Sequence, residues 1–384
     1  MKRKIAVVIS ARASYARIKS LLFEINKRKR MELYIILIAS AALSDYGDTI
    51  GQLRRDGLQV YKAIDSLSKE TTLISQVHTT TASLFQLSKT FESLKPNMVV
   101  TIADRHETIA TAIAASYMNI PLVHIQGGEK TGNIDDRVRN AITMLSDIHF
   151  VSTQKAKERL IMMGENKERI FVTGCPSCDI AIKAISKKIE IDKLKNRVML
   201  GTPHQDGEKY YIVLQHSVTN EIDDVENQLL ETLKATKKLD NKVYWILPNS
   251  DAGAHIVRNT VKKFVLENNF SNLCLLSGLD NFDFYRLLYE AVAIVGNSSV
   301  AIRECSFIGV PAVNIGNRQI GRECADTVLH VDYNCNKIYD AMIKCNTIKR
   351  EKSKLYGDGT AGKQMADILE KCTLDLKENS YRRK

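Results

Sequence analysis

The chain has 384 residues, of which 44% are hydrophobic and 26% charged, and a formal net charge of +11. One hydrophobic core stops growing efficiently beyond roughly 250–300 residues, so two domains are expected. No run approaches the roughly 20 apolar residues of a membrane helix. The basic excess suits an anionic partner, but "NKRKR" (26–30) and "YRRK" (381–384) fall at a helix end and a tail. No recognition helix or aromatic-interleaved basic stripe accompanies them, so neither nucleic acid nor a membrane is expected as partner.

"MKRKIAVVIS" opens with a basic run and an apolar stretch only a strand long that ends near Arg12, too short for a translocation signal, so the cytoplasm is expected. Strands are then read at "IAVVIS", "ELYIILIA", "NMVVTI", "PLVHI", "IHFVS" and "IFVTG", apolar at nearly every position as in a parallel sheet covered by helices on both faces. After "GCPSCD" the stretch 187–209 is highly charged and aperiodic, and reads as a linker. The alternation restarts with "YYIVLQ" and continues through "KVYWILP", "NLCLL", "AVAIVG" and "PAVNIG", with helical patterns over 283–290 and 298–308. The expectation is α/β: two Rossmann-type, doubly wound parallel-sheet domains, 1–186 and 187–359, with a last helix (360–384) packing back on the first. Ligands of such sheets bind at the carboxyl ends of the strands, here in a cleft between the domains.

Several junctions carry chemistry. "VVISARASYARIKSLL" is a strand, a small-residue turn with Arg12, and a helix expected to open near Ser14 or Tyr15, which would direct backbone N–H groups and a permanent charge at an anion. The G-x-G-x-x-G fingerprint of dinucleotide binding is absent. "IVGNSSVAIRE" repeats this form: Ser298 and Ser299 can donate to phosphate oxygens or simply cap the helix, and Glu304 can accept two vicinal hydroxyls. "GNRQIGRE" supplies Arg318 and Arg322, one of which could clamp a diphosphate. "TIADRHE" puts Asp104 and Arg105 at one strand end, and "VLQHSVTNE" puts His216 at another. In "HIQGGEKTGNIDDRVRN", Gly127 and Gly128 let Glu129 sit near Asp104, while Asp135 and Asp136 open a helix. Acids there also suit the helix dipole, but three converging carboxylates can hold one proton among them. Among the eight cysteines, "CPSC" (175–178) reads as small residues in a tight turn. No paired cysteine or histidine spacing suggests a metal, and no cofactor is expected. His78, His149, His204, His255 and His330 read as structural; His106 and His124 are intermediate.

Taken with "ADRHETIATAIAASYMNI", "GCPSCD", "LPNSDAG" and "KLYGDG", these strings run in order along nearly the whole chain. The sequence resembles the hydrolysing UDP-N-acetylglucosamine 2-epimerase family, and is close to the epimerase half of the bifunctional animal epimerase/kinase, without room for the kinase. The resemblance implies a GT-B-like architecture with UDP held mainly by the C-terminal domain. It places Ser298, Ser299 and Arg318 on the diphosphate, Glu304 on the ribose and Arg12 on the phosphates, with Asn249 and Gln126 also at the substrate. Asp104, Glu129 and Asp135 become the acids, with Arg105 and His216 beside them. Many relatives have Glu where this chain has Gln126, which cannot exchange a proton. Either Glu129 takes that work or Gln126 marks a different division of labour.

The implied reaction converts UDP-N-acetylglucosamine and water to N-acetylmannosamine and UDP through 2-acetamidoglucal, the first step of sialic acid biosynthesis. Its partners are a nucleotide sugar and further copies of the chain, as dimer or tetramer. Alternatives are the hydrolysing UDP-N,N'-diacetylbacillosamine 2-epimerase, the non-hydrolysing UDP-N-acetylglucosamine 2-epimerase and a GT-B glycosyltransferase.

Overall fold

Aliphatic, strand-length runs separated by amphipathic stretches build two sheets in the computed structural model, which describes residues 2–68, 70, 72–102, 104–131, 135–247 and 254–372. The chain divides into two units, one of Met1–Asp179 with the chain from Gly357 onward, the other of Ile180–Tyr356. In the first, β1 (Arg3–Ile9), β2 (Met31–Leu37), β3 (Val60–Ala63), β4 (Met98–Ile102), β5 (Leu122–Ile125), β6 (Ile148–Val151) and β7 (Ile170–Val172) lie in the order β3-β2-β1-β4-β5-β6-β7. All of these pairings are parallel.

Successive strand side chains point to opposite faces, and β1 shows the consequence. Ile5, Val7 and Ile9 pack with Ile18, Leu21 and Met365, from the helices Arg12–Asn26 and Ala361–Lys371. Ala6 and Val8 pack on the other side with Leu87, Phe91 and Ala112, from the helices Leu73–Leu94 and Thr108–Tyr117. Both faces are dry, which is why the strands read as continuous apolar runs.

The second unit contains β8 (Val198–Leu200), β9 (Tyr210–Leu214), β10 (Lys242–Ile246), β11 (Leu273–Leu276), β12 (Ala293–Gly296), β13 (Ala312–Ile315) and β14 (Val328–Val331), in the order β14-β13-β12-β9-β10-β11-β8. All pairs are parallel except β8, which runs antiparallel to β11. Here the charged stretch read as a linker is corrected: it holds the helix Ile191–Lys195 and β8, which covers the outer edge of β11. Two further boundaries move. The first helix already begins at Arg12, so Arg12 belongs to its first turn. The helical pattern over 298–308 splits into a 3-10 turn, Ser299–Ala301, and a short α-helix, Arg303–Ile308.

The last helix returns to the first unit by a specific lock. Asp179 accepts from the backbone N–H of Ala361 (3.0 Å) and of Gly362 (2.7 Å), groups that no carbonyl of their own helix could reach. Gly362 lies so close to the helix Arg12–Asn26 that a Cβ there would come within 2.7 Å of the Leu21 nitrogen. Arg28 adds ion pairs to Asp367 (2.6 Å) and Glu370 (2.9 Å). Replacing Asp179 by Ala leaves two buried donors unmet and should cost about 2–4 kcal/mol of first-unit stability. The check is the thermal unfolding midpoint, which Asp179→Asn should partly restore.

Candidate active site

Each sheet grows outward in two directions from its first long strand, so the chain crossovers leave opposite faces at one point. In the first sheet that point lies between β1 and β4, in the second between β9 and β12. Loops diverge beyond the carboxyl ends of such strands and open a crevice, the usual ligand position in sheets of this kind. Arg12 follows β1, Asp104 follows β4, His216 follows β9, and Asn297 to Ser299 follow β12.

In the first unit the organising group is one that sequence reading missed. Arg139, on the helix Asp135–Met144, is 1% exposed and makes an ion pair with Asp104. It also donates to Asp136 Oδ1 (2.5 Å) and to the Glu129 carbonyl (2.6 Å). Burial pushes the guanidinium pKa down, but the charges of Asp104, Glu129 and Asp136 outweigh it, and the net shift is upward. Asp136 is further occupied by the Thr131 N–H (2.9 Å) and hydroxyl (2.6 Å), so it clamps the start of the helix. Glu129 is 7% exposed and accepts from the Ser152 hydroxyl (3.1 Å). Thus Asp104, Glu129 and Asp136 surround one cation, with Asp135 beside Asp136 in the same first helical turn.

The turn that carries Glu129 requires its glycines. Gly128 has φ +74°, and a Cβ there would come within 2.4 Å of the Ala156 carbonyl oxygen. Gln126 is 2% exposed and takes φ +68°, the left-handed region that a side chain of this size rarely adopts. Its Nε2 donates to Cys175 Sγ (3.2 Å), while its Oε1 is buried without a hydrogen-bond partner. Cys175 and Cys178 are buried at the start of the helix Pro176–Ala184, so "CPSC" packs this turn. Arg105 donates to Glu107 Oε1 (2.7 Å), and His106 Nδ1 lies 3.1 Å from Glu107 Oε2. Burial raises the Glu107 pKa, but the charges of Arg105 and His106 more than reverse this, leaving it below its usual 4.5.

In the second unit Asn297, also missed, ties the two strand ends together. Its Oδ1 accepts the His216 N–H (2.7 Å) and its Nδ2 donates to the His216 carbonyl (2.8 Å). Gly296 permits this approach: a Cβ at its φ of +137° would come within 2.2 Å of the Leu214 carbonyl oxygen. The Asn297 carbonyl accepts from Arg318 (3.1 Å) and Gln319 (2.8 Å), bringing the Arg318 guanidinium to the same strand end. Ser298 caps the 3-10 turn through Val300 N–H (3.4 Å), and Ser299 Oγ accepts from buried Arg303 (2.9 Å). Glu304 is 2% exposed; its Oε1 receives the Tyr285 hydroxyl (3.4 Å), and its Oε2 meets no hydrogen-bond donor. Asn249 lies outside the described residues. Among those described, no group of three or more His, Cys, Asp or Glu is placed to hold a metal ion, and no helix is long and apolar enough to cross a membrane.

Residues 23–370 match the family described as UDP-N-acetylglucosamine 2-epimerase. The chain belongs to the UDP-N-acetylglucosamine 2-epimerase family. It is 30% identical over 370 residues to the UDP-N,N'-diacetylbacillosamine 2-epimerase (hydrolyzing) of Legionella pneumophila, covering 96% of each chain. It is 27% identical over 372 residues to the UDP-N-acetylglucosamine 2-epimerase of Neisseria meningitidis serogroup B, covering 96% of this chain and 95% of that one. The crystal structure of a Neisseria meningitidis UDP-GlcNAc 2-epimerase bound to UDP-GlcNAc matches with a TM-score of 0.80 at 20% identity, over 96% of this chain and all of that one. The fold of this family member is GT-B-like, with two Rossmann-type sheets.

Two expectations follow for this epimerase family member. Arg139→Met leaves buried carboxylates without their cation and should destabilise the first unit by about 3–5 kcal/mol, read by denaturant unfolding. A cost below about 1 kcal/mol would show that the guanidinium does not hold the acids together. Glu107 has a depressed folded pKa, so its stabilisation is complete above about 4.5 and is lost as pH falls through the lower folded value. Glu107→Gln should therefore flatten the acid side of the pH–stability curve.

Proposed function

We propose that this family member is a hydrolysing 2-epimerase that converts UDP-N-acetylglucosamine and water to N-acetylmannosamine and UDP. The observation that carries the reading is the group of acids gathered around buried Arg139 beyond the carboxyl ends of the strands Met98–Ile102 and Leu122–Ile125. It is supported by the hydrolysing Legionella relative, whose likeness runs over 96% of the chain. In this reading Asp104, held beside Arg139, takes the C2 proton while the anomeric C–O bond to UDP breaks, giving 2-acetamidoglucal. Glu129 then returns a proton to C2 from the opposite face as water adds its oxygen to C1, with Asp135 assisting that hydration. UDP and the 2-epimeric sugar are released, and the atoms balance with one water consumed.

The second unit serves the leaving group. Negative charge develops on the β-phosphate as the bond breaks, and fixed N–H, hydroxyl and guanidinium donors at Ser298, Ser299 and Arg318 stabilise it without reorganising. Arg12 adds charge from the first turn of its helix, and His216 positions or protonates the phosphate. Glu304 Oε2, an unmatched buried acceptor, suits the ribose hydroxyls. Gln126 Oε1 is likewise an acceptor for a sugar hydroxyl or acetamido N–H. A composition that is not disulfide-dense fits a reducing compartment, and we place the enzyme in the cytoplasm, supplying N-acetylmannosamine for sialic acid synthesis.

A second reading, UDP-N,N'-diacetylbacillosamine as substrate, is favoured by the same Legionella relative at 30% identity. Substrates that differ in one acetamido group at C4 are separated by a few pocket side chains. Proton NMR of parallel digests in deuterated water distinguishes them. The expected result is free UDP and deuterium at C2 of N-acetylmannosamine; faster turnover of the diacetyl nucleotide supports the second reading. UDP-N-acetylmannosamine without free UDP would make the enzyme non-hydrolysing, and no exchange without an acceptor would favour a glycosyltransferase. Asp104→Asn should lower kcat by about 10²–10⁴-fold while UDP binding, measured by calorimetry, stays within a few-fold. Loss of UDP binding instead would sink the proton-transfer role.

A further inference from the structure

Arg303 is the first residue of the short α-helix Arg303–Ile308 and is 1% exposed. Taking a guanidinium out of water is costly, and an apolar side chain would fill the same space without that cost if packing were the only need. Arg303 follows Ser299 across the junction at Ile302, where the 3-10 turn Ser299–Ala301 gives way to the α-helix. Its Nη2 donates to Ser299 Oγ at 2.9 Å, and its Nε lies 3.9 Å from Glu304 Oε2. One buried cation therefore stands behind both the serine read above as a phosphate donor and the glutamate read as the ribose acceptor.

We propose that Arg303 is a positioning residue for the departing diphosphate and acts through the Ser299 hydroxyl. The inference rests on the reading of Ser299 as a phosphate donor. A serine hydroxyl carries one proton and accepts through its lone pairs, whereas a guanidinium has donors only. The bond between them therefore fixes Ser299 Oγ as the acceptor and leaves the serine's own proton to be given elsewhere. Ser298 has the same polarity with a weaker partner, since its Oγ accepts from the Val300 N–H at 3.4 Å. The bond from Arg303 is shorter and charge-assisted, and a hydroxyl that accepts from a cation becomes a better donor because hydrogen bonds in a chain polarise one another. Charge that appears on the β-phosphate as the C–O bond breaks is met by a donor set in place beforehand, with no reorganisation.

Arg318 works by a different route. It donates to the Asn297 carbonyl at 3.1 Å and is half-buried, so part of its guanidinium faces outward for a ligand. Arg303 presents no surface to a ligand, and its influence passes through the hydroxyl that it holds.

The test is a double-mutant cycle on UDP affinity, measured by calorimetry on the full chain. Ser299→Ala should weaken UDP binding by about 10–100-fold, the range for a hydrogen bond to a charged group. Arg303→Met should weaken it by a similar factor, yet in the Ser299→Ala background the same substitution should change it by less than about twofold. Arg303→Lys keeps a charge and a donor, so it should recover part of the loss when Ser299 is present and none when it is absent. That variant also completes the cycle if Arg303→Met lowers the unfolding midpoint. Effects of Arg303→Met and Ser299→Ala that simply multiply, or UDP binding that Arg303→Met leaves unchanged while Ser299→Ala weakens it, overturn the proposal and leave the reading of Ser299 standing. If Ser299→Ala itself leaves UDP binding unchanged, the phosphate reading of Ser299 falls and the proposal falls with it.

Discussion

A guanidinium removed from water fixes the geometry of the first unit's site. Arginine stays protonated in a protein, so at 1% exposure Arg139 must be met by anions and carbonyls or its burial would cost several kcal/mol. The groups that meet it come from distant parts of the chain: Asp104 from the end of β4, the Glu129 carbonyl from the turn after β5, and Asp136 from its own helix. Satisfying one cation therefore brings three acids together. The acids also gain, because carboxylates this close repel one another unless a positive charge lies among them.

The second unit solves the corresponding problem without charge. At its switch point the strand ends of β9 and β12 are held by the Asn297 amide, which donates to and accepts from the His216 backbone while its own carbonyl draws in Arg318 and Gln319. A neutral bridge suits the phosphate site proposed above, since an acid there would repel the anion. In the short helix that follows, the carboxylate of buried Glu304 has Arg303 3.9 Å away. The two sheets share a topology, yet one strand end gathers carboxylates and the other gathers donors. That contrast, which the shared fold cannot supply, is what points to chemistry.

The strands that carry these sites were legible because both of their faces are buried, so β1, β4, β5, β9 and β12 read as largely apolar runs. The strands left unread lie at or near the edges. β3, "VYKA", is almost wholly exposed, and β8 and β14 are only three and four residues long with partly exposed patterns. Acids and serines at strand ends could be picked out by position along the chain. Arg139 and Asn297 could not, because their importance depends on which distant groups they meet. In the sequence Arg139 is one basic residue three after an acid, the spacing of an ordinary surface ion pair. The helix after β12 was misread because periodicity does not report the break at Ile302, where a 3-10 turn gives way to an α-helix.

Gln126 shows how far the electrostatics constrain the chemistry. Gln126 stands three residues before Glu129, in the same turn after β5. In this chain the side chain is locked by a left-handed backbone, and its amide Nε2 donates to the Cys175 sulfur. A glutamate could not make that contact as a donor unless it were protonated, and ionised it would put a negative charge in a buried turn with no cation recorded against it. The amide keeps the shape and removes the charge, leaving one buried oxygen as an acceptor. On the proposed mechanism, proton transfer is then confined to the acids nearest Arg139, and the residue before the two glycines recognises the sugar without exchanging protons with it.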